Sequence, residues 1–106
     1  MTRIYIAGPM TGVEGLNHAA FHAEAARLRD LGHEVVNPAE INPNPDAEWT
    51  ECMRADIAQL VTCDAIALLP GWGNSRGARL EHYIANALDM TILSNYQLTP
   101  WETQHT

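Results

Sequence analysis

The sequence predicts a single α/β domain built on a mainly parallel sheet, and three observations carry that prediction. Four short aliphatic runs alternate with three stretches of helical periodicity. The first and third runs each stop at a Gly/Pro pair, Gly8-Pro9 and Pro70-Gly71, as strands do where they meet a loop. The length of 106 residues suits one hydrophobic core and is too short for two.

Taken in order, Arg3-Ile4-Tyr5-Ile6-Ala7 reads as a short buried strand followed by a loop over 8–15. Asn17 is placed to cap a helix running to about Leu31, with Gly32 ending it and Phe21, Ala25 and Leu28 as its apolar stripe. Glu34-Val35-Val36 is a second strand, and Asn37-Pro38 opens a loop to about Asp46. A second helix is expected from about Ala47 to Thr62, with Met53, Ile57, Leu60 and Val61 on one face. Residues 65–69 form the third strand, a loop surrounds Trp72-Gly73-Asn74, and a third helix covers about Arg76 to Leu88. Thr91-Ile92-Leu93-Ser94 is the fourth strand, and residues 96–106 are a tail.

The order βαβαβαβ with right-handed crossovers predicts a flavodoxin- or Rossmann-like three-layer sandwich with four or five strands. Its core spans about residues 3–95 of one domain, 1–106. In such sheets ligands bind beyond the carboxyl ends of the strands. That points to the loops over 8–15, 37–46 and 70–76.

Composition removes several function classes. The net charge of −7 argues against binding long nucleic acid, which needs clustered basic residues. All six basic residues are arginine, so Schiff-base chemistry and a Walker-type phosphate lysine are excluded. No apolar stretch is long enough to span a membrane. Cys52 and Cys63 match no zinc or redox spacing and read as free thiols of a reducing compartment. With no signal peptide visible at the N-terminus, a cytoplasmic location is expected.

The candidate chemistry is acidic. On the third helix, Leu80, Ile84, Ala87 and Leu88 are expected to face the sheet, which leaves Glu81 at the margin of that stripe. One turn away stand Gly77 and Ala85, so a ligand has room above this carboxylate; an ordinary boundary glutamate is the alternative. Asp56 lies at the corresponding margin of the second helix. It pairs with Glu81 across a pocket, or is a partly solvated acid held by Arg54 or Arg79. Two opposed carboxyl groups are the basic equipment for cleaving glycosidic bonds.

Tyr5 has a hydroxyl that needs a partner if buried: either a carboxylate it orients or a contact in the core. Ser75, just before the third helix, reads as its N-cap, and the same position makes an anion site with the N–H groups of Arg76 and Gly77. His18 and His22 have a metal-compatible spacing but no third ligand, so they read as a solvated face and no metal is expected.

Three segments together form a recognisable pattern: Tyr5-Ile6-Ala7-Gly8-Pro9-Met10-Thr11-Gly12, Asp56 with Asp64 eight residues on, and Ser75-x-Gly77-x-x-x-Glu81. It resembles the nucleoside 2-deoxyribosyltransferase superfamily, which includes the 2′-deoxynucleoside 5′-phosphate N-hydrolases. The likeness is strongest to small bacterial and phage-type domains of unassigned function and covers about residues 3–95.

The resemblance implies Glu81 as nucleophile, Tyr5 as the hydrogen-bond partner that positions it, and Asp56 near the base, assisting its protonation. Gly8, Pro9, Met10, Thr11, Gly12, Ser75 and Gly77 would then line the substrate. Ser75 tilts that substrate toward a 2′-deoxynucleoside 5′-monophosphate, because a carboxylate in its place would repel phosphate. Pro9 and Thr11 depart from the phosphate-binding Ser and Arg of the hydrolases, and the 37–48 loop is not theirs. No cofactor is expected, and the resemblance implies a homodimer or higher homo-oligomer in which a neighbouring subunit completes the pocket. A second reading keeps the same pocket in a non-catalytic module that senses or sequesters a nucleotide.

Overall fold

A computed structural model describes residues 2–42 and 46–94 of the chain. The tail expected over 96–106, with Trp101, lies outside the described residues. Four strands form one all-parallel sheet: β1 (Arg3–Ala7), β2 (Glu34–Val36), β3 (Ala65–Leu68) and β4 (Thr91–Ser94), in the order β2-β1-β3-β4. The chain moves outward from β1 to β2 and then crosses back to β3. The direction of winding therefore switches between β1 and β3, as in flavodoxin-like folds.

Strand alternation sorts β1 between two cores. Ile4 and Ile6 point to the layer of α1 (His18–Asp30), packing with Phe21, Ala25 and Leu28. Tyr5 and Ala7 point the other way, among Leu60 of α3 (Trp49–Leu60) and Ala78 and Ala85 of α4 (Arg76–Ala87). A shift of one residue in β1 would send the phenol of Tyr5 into the wrong layer. The helix α1 ends as expected at Gly32, in the left-handed region at φ 93°. There the His33 N–H bonds the Leu28 carbonyl and the Gly32 N–H that of Arg29, closing a Schellman motif.

The helix starts depart from expectation. Asn17 does precede α1, but no side-chain hydrogen bond caps the helix there; Gly15, Leu16 and Asn17 all have left-handed backbone, within a 3₁₀ turn over Glu14–Asn17. The segment read as a loop from Asn37 contains a one-turn helix, α2 (Pro38–Ile41). Asn37 caps it by accepting the Ala39 N–H at 3.0 Å, and proline at the first helical position costs no hydrogen bond.

The third predicted helix is rolled relative to its expected orientation, although Ile84 packs against the core as expected. Leu80 is 38% exposed and Leu88 54%, whereas Ala78, Glu81 and Ala85 are buried against the sheet. On that face the small side chains of Ala78 and Ala85 pack with Tyr5 and Ala7 of β1 and Ile66 and Leu68 of β3. Likewise Met53, Asp56 and Leu60 form the buried face of α3, while Val61 is 50% exposed. Among the described residues no helix is long and apolar enough to cross a membrane.

Close approach also explains Gly8. A Cβ added there would lie 2.8 Å from the Leu69 Cβ, an atom fixed to its own backbone. The substitution Gly8→Ala should therefore lower stability by about 1–3 kcal/mol through overpacking. Urea denaturation checks this, with an unchanged midpoint as the contrary result.

Candidate active site

The carboxyl ends of β1 and β3 meet where the Leu69 N–H donates to the Ala7 carbonyl at 2.8 Å. Just beyond them lies a cavity of about 690 Å³, walled by the loops after both strands and by α3 and α4. It is the topological switch-point crevice. Gly8, Pro9, Met10, Thr11, Ser75 and Gly77 line it together with Asp56 and Glu81. Gly12 does not: it is exposed, with φ 83°, and turns the loop where the Val13 N–H bonds the Met10 carbonyl.

Glu81 enters from the buried face of α4 and is 5% exposed. Tyr5, wholly enclosed beneath it, donates its phenolic hydrogen to Oε2 of Glu81. Burial pushes the Tyr5 pKa well above its ordinary value, with the Glu81 and Asp56 charges acting in the same direction. The phenol therefore stays a donor at neutral pH. Asp56, 7% exposed, reaches the cavity from α3 and accepts a hydrogen bond from the Asn42 amide at 2.7 Å. Neither Arg54 nor Arg79 pairs with it among the described ion pairs.

Both acids hold their protons unusually well. Burial pushes Glu81 up to about 8; the Tyr5 hydrogen bond opposes this and the Asp56 charge adds to it. Burial likewise pushes Asp56 up to about 6, against the Asn42 hydrogen bond. Near pH 7 Glu81 therefore holds its proton while Asp56 carries a negative charge.

The rim carries the opposite polarity. Ser75 does cap α4, its Oγ accepting the Ala78 N–H at 3.2 Å, which leaves its own hydrogen for a ligand. Arg76, the one arginine in the cavity wall, stacks over the Trp49 ring at 3.9 Å from its centroid. Gly77 keeps the two helices close, since a Cβ there would lie 3.1 Å from the Met53 sulfur.

Sequence reasoning missed Asn42, placed in a loop, and His18, assigned to a solvated face. His18 lines the cavity wall, and its Nε2 is buried without a hydrogen-bond partner. His22 instead meets the Asn37 amide, Nδ1 to Nδ2, at 3.1 Å. Because Asn37 Oδ1 is occupied by the Ala39 N–H, its Nδ2 donates and His22 Nδ1 accepts. No local pattern marks either Asn42 or His18, for both are brought in by the crossing of separate elements. Among the described residues no three His, Cys, Asp or Glu side chains group so as to hold a metal ion.

Fold and site together define a parallel α/β domain with an acidic cavity at its switch point. Residues 2–94 match the family described as Domain of unknown function (DUF4406), and the chain belongs to that family. No curated protein matches the chain.

Proposed function

We propose that this domain cleaves the N-glycosidic bond of a 2′-deoxynucleoside 5′-monophosphate, through Glu81 as nucleophile. The observation that carries the reading is Glu81 itself, a nearly enclosed carboxyl group oriented by Tyr5 at the wall of a solvent-reachable cavity that also holds Asp56. The sequence likeness to the nucleoside 2-deoxyribosyltransferase superfamily supports it. So does the polarity of the pocket, with acids at one end and Ser75, Arg76 and the α4 N-terminus at the other.

The raised pKa of Glu81 bears on the order of steps. A neutral carboxyl group is a poor nucleophile, so its proton must first pass to the Asp56 carboxylate, directly or through water. The freed Glu81 oxygen then attacks C1′. The C1′–N bond breaks, its electron pair stays on the base nitrogen, and Asp56 supplies the proton that neutralises it. Water attacks the resulting glycosyl ester at C1′, Glu81 departs as carboxylate, and Asp56 takes the proton released by the water. One water is consumed, and one base and one sugar phosphate leave.

Incubating the protein with each deoxynucleoside and its 5′-monophosphate, and following free base by chromatography, tests the reading. Base release should be greatest for a monophosphate. Its kcat/KM should follow a bell, rising through about pH 6 as the pair loses its first proton and falling through about pH 8 as it loses the second. A profile with neither limb would rule out this assignment of the proton to Glu81 and the charge to Asp56.

One observation favours a second reading, the nucleotide-binding module. A neutral Glu81 donates a hydrogen bond, which suits recognition without reaction. Binding with no turnover for any nucleotide would favour it.

A further inference from the structure

The amide of Asn42 is fixed from both ends. Its backbone closes the one-turn helix α2, the Asn42 N–H donating to the Pro38 carbonyl at 3.0 Å. That turn ties the two cores together, with Ala39 buried in the one beneath α1 and Ile41 packed on the other. The side chain then meets Asp56, whose Oδ1 accepts from Nδ2 at 2.7 Å. Both residues line the cavity.

An asparagine amide ordinarily reads a donor or an acceptor equally well, because a half-turn about its last bond exchanges oxygen and nitrogen. Here that exchange is blocked. The Asp56 carboxylate, ionised near pH 7, only accepts hydrogen bonds. A turned amide would set its oxygen against a carboxylate oxygen and leave a buried charge without its donor. Nδ2 must therefore face Asp56, and Oδ1 is what the amide offers to a ligand. The chain has no lysine, and the one arginine of the cavity wall stands with Ser75 at the start of α4. The wall at Asn42 and Asp56 thus presents oxygen acceptors.

We infer, on the nucleotide reading above, that this wall selects a base with an exocyclic amino group, a 6-aminopurine or a 4-aminopyrimidine, whose amine donates to Asn42 Oδ1. In both bases a ring nitrogen beside the amine is an acceptor, the kind of atom that Asp56 must protonate as the base departs. A keto base puts an oxygen where the amine would be. It would face Oδ1, acceptor against acceptor, with no turn of the amide to relieve it. Asn42 is then a specificity-determining residue, and its own contact with Asp56 is what makes it read one pattern only.

Two pairs of 5′-monophosphates that exchange amine for keto oxygen test this at pH 7: dAMP against dIMP, and dCMP against dUMP. Base release by the full 106-residue chain should favour the amino member of at least one pair by about tenfold or more in kcat/KM. Asn42→Ala should bring that ratio to within about threefold of unity, whatever it does to the overall rate through Asp56. A merely structural role for Asn42 would lower both members alike and leave the ratio unchanged. Calorimetric titration of Glu81→Gln with the same four nucleotides gives the ratio as Kd, without turnover. The wild-type ratio stands by itself should Asn42→Ala fail to fold.

Release that treats both members alike, or prefers the keto member, overturns the inference and upholds the proposed activity. An amino preference that a folded Asn42→Ala retains does the same. Amino-selective binding with no release from any nucleotide upholds the selective wall and overturns the activity instead. A chain that neither binds nor cleaves any of the four overturns both.

Discussion

Glu81→Gln is expected to lower base release by a factor on the order of 10³–10⁵, with the substrate still bound. Glutamine keeps the length of the side chain and an oxygen that accepts the Tyr5 hydrogen, so the pocket wall is preserved. What it removes is the oxygen that would bond to C1′ and the proton that would pass to Asp56. The loss should therefore fall on kcat, with KM little changed. Single-turnover measurement at saturating monophosphate separates the two. If Glu81→Gln released base at near the wild-type rate, the nucleophile would have to be sought elsewhere.

The same substitution should act in the opposite direction on stability, and by an amount that depends on pH. The Glu81 carboxyl titrates at about 8 in the folded protein against an ordinary value of 4.5. Its folded pKa is raised, so its favourable contribution is full below about 4.5 and is lost as pH climbs through 8. Glutamine has no proton to lose. The gain in stability of Glu81→Gln over wild type should thus be near zero at pH 4.5 and grow to about 3–5 kcal/mol above pH 8. Asp56→Asn should show a smaller gain completed earlier, over the window from 3.8 to about 6. Thermal melts of wild type and both variants across that range provide the check. A constant difference at all pH values would mean that Glu81 is not held neutral by burial. A residue that weakens its own fold at neutral pH and is indispensable to turnover would have a place in the pocket that the fold alone does not explain.

The β-strands and the approximate helices were legible in the sequence because hydrophobic period and turn chemistry are local properties. β1 and β4 fall on the residues expected, and Gly32 ends α1 as read. The one-turn helix at Pro38 was missed because its single turn is too short to show a period; its start is set by one cap, Asn37. Glu81 and Asp56 were both expected at the pocket, but on incomplete grounds. Each was placed at the margin of an apolar stripe, whereas each lies within the buried face of its helix.

The reason is the one that rolled α4. Hydrophobic periodicity assumes that the most apolar face turns inward, and here packing distance chose the face of glycine and alanine instead. Leu80 and Leu88 were left exposed while Ile84 still packs against the core, and that choice depends on the shape of the sheet beneath.

By itself, then, the sequence determined the class of fold, the end of the sheet where a ligand would sit, and the acidic residues available there. Tertiary structure alone decided that Tyr5 lies beneath Glu81, that Asn42 holds Asp56, and that burial raises both carboxyl groups toward neutrality. Those contacts join residues 76 and 14 positions apart in the chain. Desolvation, moreover, is a property of everything packed around a group, so no local stretch of sequence can express it.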